Sequence, residues 1–212
     1  MNLKSLILKK FLPFAVLFVL LSVLSLNSSV QKMYYPLFSN ASVSVLNSWI
    51  GDTYFKDKPK TAQTDFDYNK IGVLFQAKRK LTAIYEAARR QNVQAQYDYK
   101  GFNVTIDETF IAPLTFFLCL LLFSPGTWKQ KAIALTVGSL LIFGFALLIV
   151  YFKGLLMVSR SGVRELAYSQ NDLNFFELLH FFFSPVTIVS MVLVTWILVA
   201  FRKSDLKRMF DY

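Results

Sequence analysis

Four stretches of this chain are almost free of charge away from their flanks: Met1–Leu26, Phe110–Ser124, Ala132–Phe152 and Phe181–Phe201. A soluble domain of similar composition would spread its apolar residues in amphipathic periods, whereas here they come in blocks. A helix needs roughly 20 apolar residues to cross a hydrocarbon core about 30 Å thick. The third and fourth blocks meet that length directly. The first meets it if Lys9 and Lys10 reach back to the headgroups, and the second if it borrows Glu108–Thr109 or Thr127–Trp128 at its ends. The expected fold class is therefore a mainly α membrane protein, with four transmembrane helices and a small exported α+β domain between the first and second. A signal-anchor reading of the first block is favoured over a cleaved signal peptide, because "LSVLSLNSSVQK" offers only a loose small-x-small cleavage site.

Charge orients such a chain. The N-terminus (Lys4, Lys9, Lys10), the loop "SPGTWKQK" and the tail "FRKSDLKRMFDY" together hold nine of the 23 basic residues. Short segments dense in Lys and Arg stay cytoplasmic, which places both termini inside a bacterial inner membrane and residues 28–108 in the periplasm. The net charge of +10 then needs no nucleic acid to explain it: much is topology, and the rest suits anionic headgroups. No zinc-ligand spacing, aromatic-basic repeat or glycine loop argues for nucleic acid, nucleotide or metal. A single cysteine excludes an intrachain disulfide.

The expected organisation is an N-terminal anchor over 1–27, an interfacial amphipathic helix and linker over 28–60, and the exported α+β domain over 61–108. A transmembrane hairpin follows over 109–153, then an exported loop over 154–180 and a fourth span with a basic tail over 181–212. Pro36 is expected to break the helix after the first span. Beyond it Phe38, Ala41, Val45, Leu46 and Trp49 recur at helical spacing, with Ser39 or Asn40 as cap. Tyr34, Tyr35, Trp49 and Trp128 are read as membrane-interface anchors. In 61–108 the pattern predicts a strand at "TDFDYN", then a helix whose face carries Val73, Leu74, Ala77, Leu81, Ile84, Tyr85 and Ala88. Two strands follow, joined by a turn at Lys100–Gly101. Fewer than 50 residues make a thin core, which favours an interaction module. Partner binding is assigned to Tyr85, Arg89, Arg90, Tyr97, Tyr99 and Phe102, with Tyr97 and Phe102 equally suited to the domain's own core. The triplets at Asn40 and Asn103 match glycosylation sequons and matter only in a eukaryotic host.

Two residues carry the rival reading of a membrane enzyme: Cys119 and the sole histidine, His180. A thiol attacks as thiolate, and hydrocarbon burial opposes ionisation unless a cation or base stands beside it. The neighbours Phe116, Phe117, Leu118, Leu120, Leu121 and Leu122 supply none, and on a four-span topology His180 belongs at the opposite end. Asp65, Asp67, Asp98, Asp107 and Glu108 alternate with aromatics as a solvated face does. No ionisable group lies in mid-span, which argues against a pump or transporter.

The stretch from Thr109 to Leu156 resembles the paired-helix region of small membrane proteins associated with exosortases. The echoes are Pro113–Leu114 opening one helix, and Ser124–Pro125 with Trp128–Lys129 at the turn. The preceding anchor and exported segment fit the same layout. The resemblance implies an accessory role beside a membrane-embedded sorting enzyme and its exported substrates. Exosortases themselves carry catalytic Cys, Arg and His. Here Cys119 is followed by Leu-Leu-Leu rather than by small and hydroxyl residues, so the enzyme role does not carry over. The expected function is a non-catalytic accessory or structural subunit of an inner-membrane assembly for protein export, sorting or envelope biogenesis. It binds a membrane protein complex and uses no cofactor.

Overall fold

The computed structural model describes residues 12–25, 27–58, 68–124, 126–162, 170–182 and 185–200. The chain runs α1 (Leu12–Ser25), α2 (Ser28–Trp49), β1 (Thr53–Asp57), β2 (Lys70–Ala77), α3 (Lys78–Gln91) and β3 (Lys100–Thr105). A π-helical turn, Asp107–Ile111, leads into α4 (Ala112–Phe123), followed by α5 (Trp128–Ser161), α6 (Gln170–Phe182) and α7 (Pro185–Ala200). These elements form two compact units, and α5 passes from one to the other between Ala146 and Leu147.

The expectation of four spans is overturned. Among the described residues, α5, with 34 residues, is the one unbroken helix long and apolar enough to cross a membrane. The other apolar blocks are cut short by local chemistry. The first ends at Ser25, where Asn27 starts a new helix by accepting the Ser29 N–H on its side chain at 2.9 Å, an N-cap contact. In the second, α4 has 12 residues and stops at Ser124, whose backbone is extended (φ −71°, ψ 148°). The last, α7, has 16 residues and begins at Pro185. Among the described residues none of the three by itself reaches the roughly 20 residues a span requires, and α1 would do so only jointly with α2, across a bend of 77°.

The first unit contains α1, α4, the N-terminal part of α5 and α7. Its middle is α4, whose Pro113, Thr115, Phe117, Cys119 and Leu121 are all buried. A helix apolar all round is one that other helices enclose. Phe116 meets Phe14 and Phe18 of α1 edge-to-face, both with centroids 5.9 Å apart. The Phe117 ring meets Gly138 of α5 at its tip, where a Cβ would clash with Cζ. On the α7 side the Trp196 indole N–H donates to Ser124 Oγ at 2.6 Å, and Ser124 donates to the Leu120 carbonyl at 2.7 Å. Gly138 thus admits a neighbour, whereas a Cβ at Gly144 would meet nothing within 4 Å.

The second unit contains most of α2, the sheet, α3, the C-terminal part of α5 and α6. The sheet is antiparallel with order β1-β2-β3. Its inner face carries Phe55, Ile71, Val73, Phe75, Phe102 and Val104, all buried, as strand alternation requires. Helix α2 covers this core with a stripe of Tyr35, Phe38, Ser39, Ser42 and Leu46. Gly154 of α5 lets Leu46 and Phe102 approach, since a Cβ there would lie 2.4 Å from Leu46 Cδ2. The Tyr35 hydroxyl donates to the Asp57 carboxylate at 3.0 and 3.1 Å.

Several local expectations are corrected. Pro36 lies inside α2 and does not end it. Val73 and Leu74 belong to β2: "KIGVLFQA" alternates buried and less buried residues, and helical periodicity begins only at Lys78. Lys100–Gly101 opens β3 instead of turning between two strands. The strand beside β2 on its other edge is β1, from a segment read as helix and linker. The predicted strand at "TDFDYN" falls mostly on residues 61–67, outside the described residues.

Candidate interaction site

Helix α3, "KRKLTAIYEAARRQ", is the most amphipathic element of the described chain and among the least covered. It starts as the extended backbone of Ala77 turns. The Lys78 amide there donates to the Asp52 carbonyl at 3.0 Å, and Lys78 Nζ to Gly51 O at 2.7 Å. It ends in a Schellman arrangement: Asn92 is left-handed (φ 55°), and the Asn92 and Val93 amides return to Arg89 and Ala88 carbonyls, the usual means of closing a C-terminus. Arg89 and Arg90 sit in the last turn, where cations suit the helix dipole. Lys78, Arg79 and Lys80 sit at the opposite end, where the same dipole disfavours them. That placement opposes local stability.

Ala88 is the one buried residue of α3, while Leu81 and Ile84 are half-covered and Tyr85 is 56% exposed. All five basic residues are exposed, and Glu86 is the helix's single acid. The result is a partly covered apolar strip, exposed at Tyr85, between two cationic ends. The strip continues into the next segment through exposed Val93 and Tyr97. Tyr97 and Tyr99 stand with centroids 6.0 Å apart, and Lys56 Nζ lies 3.7 Å over the Tyr99 ring. The Gln76 side-chain amide, itself buried, donates to the Asp98 carbonyl at 2.5 Å and holds this segment against the sheet.

Of the six residues assigned to partner binding, Tyr85, Arg89, Arg90 and Tyr97 are exposed and Tyr99 is half-covered. Phe102 is not at the surface. It is 7% exposed and packs on Phe75 in the core, because its place on β3 points it at α2 and α5. Among the residues read as membrane anchors, Tyr35 is buried on Asp57 and Tyr34 is half-covered. Trp49 meets Tyr151 edge-to-face at 5.1 Å. Trp128 is exposed, with Lys131 Nζ 5.5 Å from its ring centre.

Cys119 is wholly buried in α4, and burial pushes its thiol above the ordinary range, the reverse of what a nucleophile needs. His180 lies on α6, with its side chain outside the described ones. Asp65 and Asp67 also fall outside the described residues. Asp98 is exposed, while Asp107 and Glu108 open the π-helical turn. Burial and the neighbouring Glu108 hold the Asp107 carboxyl above its usual range. No group of three metal-ligating side chains stands together among the described residues. The first unit has an open pocket of about 390 Å³, lined by Phe18, Pro113, Phe116, Val189 and Val192, with Glu108 its one titratable residue.

Sequence reasoning missed the Lys56–Tyr99 stack, which joins residues far apart in the chain, and the hydrogen bonds of Asn47 to Phe55, which join the end of α2 to the strand that follows it. Set against protein families, curated proteins and solved structures, the chain matches none.

Proposed function

We propose that this chain is a non-catalytic accessory subunit of a bacterial inner-membrane assembly for protein export, sorting or envelope biogenesis. Helix α5 holds it at the bilayer, and α3 with the adjoining segment through Tyr99 engages the partner. The observation that carries this reading is the state of α3: a basic amphipathic helix whose apolar strip is only partly covered, with Tyr85 exposed and Leu81 and Ile84 half-covered. Covering such a strip with a partner's apolar surface, while acidic groups meet Arg89 and Arg90, is the helix-in-groove mode of recognition. The wholly buried Cys119 supports a non-catalytic role.

The test is mild-detergent extraction of the full chain through a C-terminal tag, with mass spectrometry of stoichiometric companions. The same is done for Tyr85→Ala and for the double variant Arg89→Glu/Arg90→Glu. The expected result is a defined complex that both variants lose while the chain's own yield is unchanged. A lone chain under several gentle conditions, or a complex indifferent to both variants, overturns the proposal.

A further inference from the structure

The two edges of the three-stranded sheet differ in how their backbone groups are satisfied. In an antiparallel ladder each residue turns its N–H and C=O to the same side, and successive residues alternate sides. The Ile106 amide donates to the Asn69 carbonyl at 2.7 Å, and the β2–β3 register pairs Ile71 with Val104 and Val73 with Phe102. The even-numbered residues of β3 therefore bond β2, while Gly101, Asn103 and Thr105 turn their backbone groups outward. The same reasoning on β1 turns Thr53, Phe55 and Asp57 outward.

The β1 edge is capped at Phe55 and at the Thr53 amide. Asn47 of α2 donates its side-chain N–H to the Phe55 carbonyl at 2.8 Å and accepts the Phe55 amide at 2.9 Å. The Thr53 amide is bonded to the Ile50 carbonyl at 3.2 Å. The β3 edge has no such cover at Gly101 and Asn103: both are exposed, and their backbone groups have no partner among the described residues. β3 carries no proline, and its one charge is Lys100, its first residue, whose Nζ donates to the Ser161 carbonyl of α5; from Gly101 to Thr105 the strand has neither of these usual edge guards.

We infer that the β3 edge is a binding site for an extended polypeptide segment of a partner, which adds to the sheet as a fourth strand. The open N–H and C=O groups of Gly101 and Asn103 offer four backbone hydrogen bonds to such a segment. Charge selects a partner over a second copy. Lys100 begins the edge, Lys70 lies opposite Thr105, and Lys58 reaches across Gly72 beside Asn103. Two copies paired edge to edge would bring these lysines together in a chain already at +10. The added strand is therefore neutral or acidic. This site is separate from α3 and does not depend on its role.

The experiment uses the full chain in nanodiscs, panned against phage-displayed random peptides of roughly ten residues, the upper length of ordinary strands. Amide hydrogen exchange is then measured with and without the enriched peptides. Neutral or acidic peptides are expected to slow exchange at Gly101 and Asn103. Asn103→Pro removes only an outward donor, which an edge strand tolerates; it should weaken these peptides about tenfold or more, one lost hydrogen bond at about 1.4 kcal/mol per decade. Asn103→Ala and Tyr85→Ala should bind as the parent does. Failure to enrich any peptide, protection elsewhere, or insensitivity to Asn103→Pro in a chain whose Val73 exchange is unchanged overturns the inference. So does protection of Gly101 and Asn103 before any peptide is added; a doubled mass in that case identifies the occupant as a second copy.

Discussion

The side-chain amide of Asn47 pairs with both backbone groups of Phe55, and so seals the outer edge of the sheet with a group from the helix that precedes it. An amide side chain reproduces the donor and acceptor a neighbouring strand would supply. The pair also fixes where α2 ends relative to β1. It explains why the sheet can stop at β1 without leaving the Phe55 backbone unpaired.

Asn47→Ala is expected to destabilise the second unit by about 2–4 kcal/mol. It removes two hydrogen bonds and leaves buried donor and acceptor groups of Phe55 unpaired. Chemical denaturation of the purified chain measures the loss, and hydrogen exchange at the Phe55 amide should rise with it. A change below about 0.5 kcal/mol would show that water replaces the amide without cost.

Gly138→Ala and Gly144→Ala should move stability in opposite directions. At Gly138 the new methyl meets the buried Phe117 ring, and overpacking of this kind costs about 1–3 kcal/mol. At Gly144 nothing lies within contact range, so helix propensity alone acts and stabilises by up to about 1 kcal/mol. Thermal unfolding in one detergent compares the two. Phe117→Leu in the Gly138→Ala background should recover part of the loss.

Stability should fall at alkaline pH through Tyr35. Burial, followed by the charge and hydrogen bond of Asp57, raises the Tyr35 hydroxyl well above its ordinary value. A group raised in the folded state gives its full stabilisation below the unfolded value, near 10, and loses it as pH climbs from there toward the folded value. The slope is up to one proton per unfolding event. Tyr35→Phe should flatten this limb in a urea series taken from neutral pH to above pH 10, and cost about 1 kcal/mol at neutrality from the lost hydrogen bond. An unchanged alkaline limb in the variant would assign it to another group.

Cys119 should resist alkylation in the native chain. Its side chain is wholly enclosed and its thiol is held protonated. N-ethylmaleimide should modify it only after unfolding, and mass spectrometry reads the adduct directly. Native labelling at the rate of a free thiol would contradict the enclosed packing of α4.

Much of the local character was legible along the chain. The Ala132–Phe152 block is apolar helix, and α5 contains it. Helical spacing at Leu81, Ile84, Tyr85 and Ala88 marked α3, on which Tyr85, Arg89 and Arg90 are exposed. What misled was treating each apolar block as a complete span. Hydropathy sums over a window, whereas helix length is set at its ends, by Asn27 capping α2 and by Ser124 turning extended after α4. Val73 and Leu74 fit both a helical and an alternating pattern. Pairing with β1 and β3 resolved them as strand.

By itself, then, the sequence determined which segments are apolar, which helix is basic and amphipathic, and that no disulfide forms within the chain. These are properties of composition and short-range spacing. Tertiary structure decided that α4 lies enclosed among helices with Cys119 inside it, that Phe102 faces the core, and that Asn47 closes one sheet edge while β3 keeps the other. Each of these depends on a partner in another element, eight residues on for Asn47 and Phe55 and tens of residues away for α4 and Phe102. The burial or satisfaction of a group is fixed by what the folded chain brings beside it, and spacing within a segment carries no record of that.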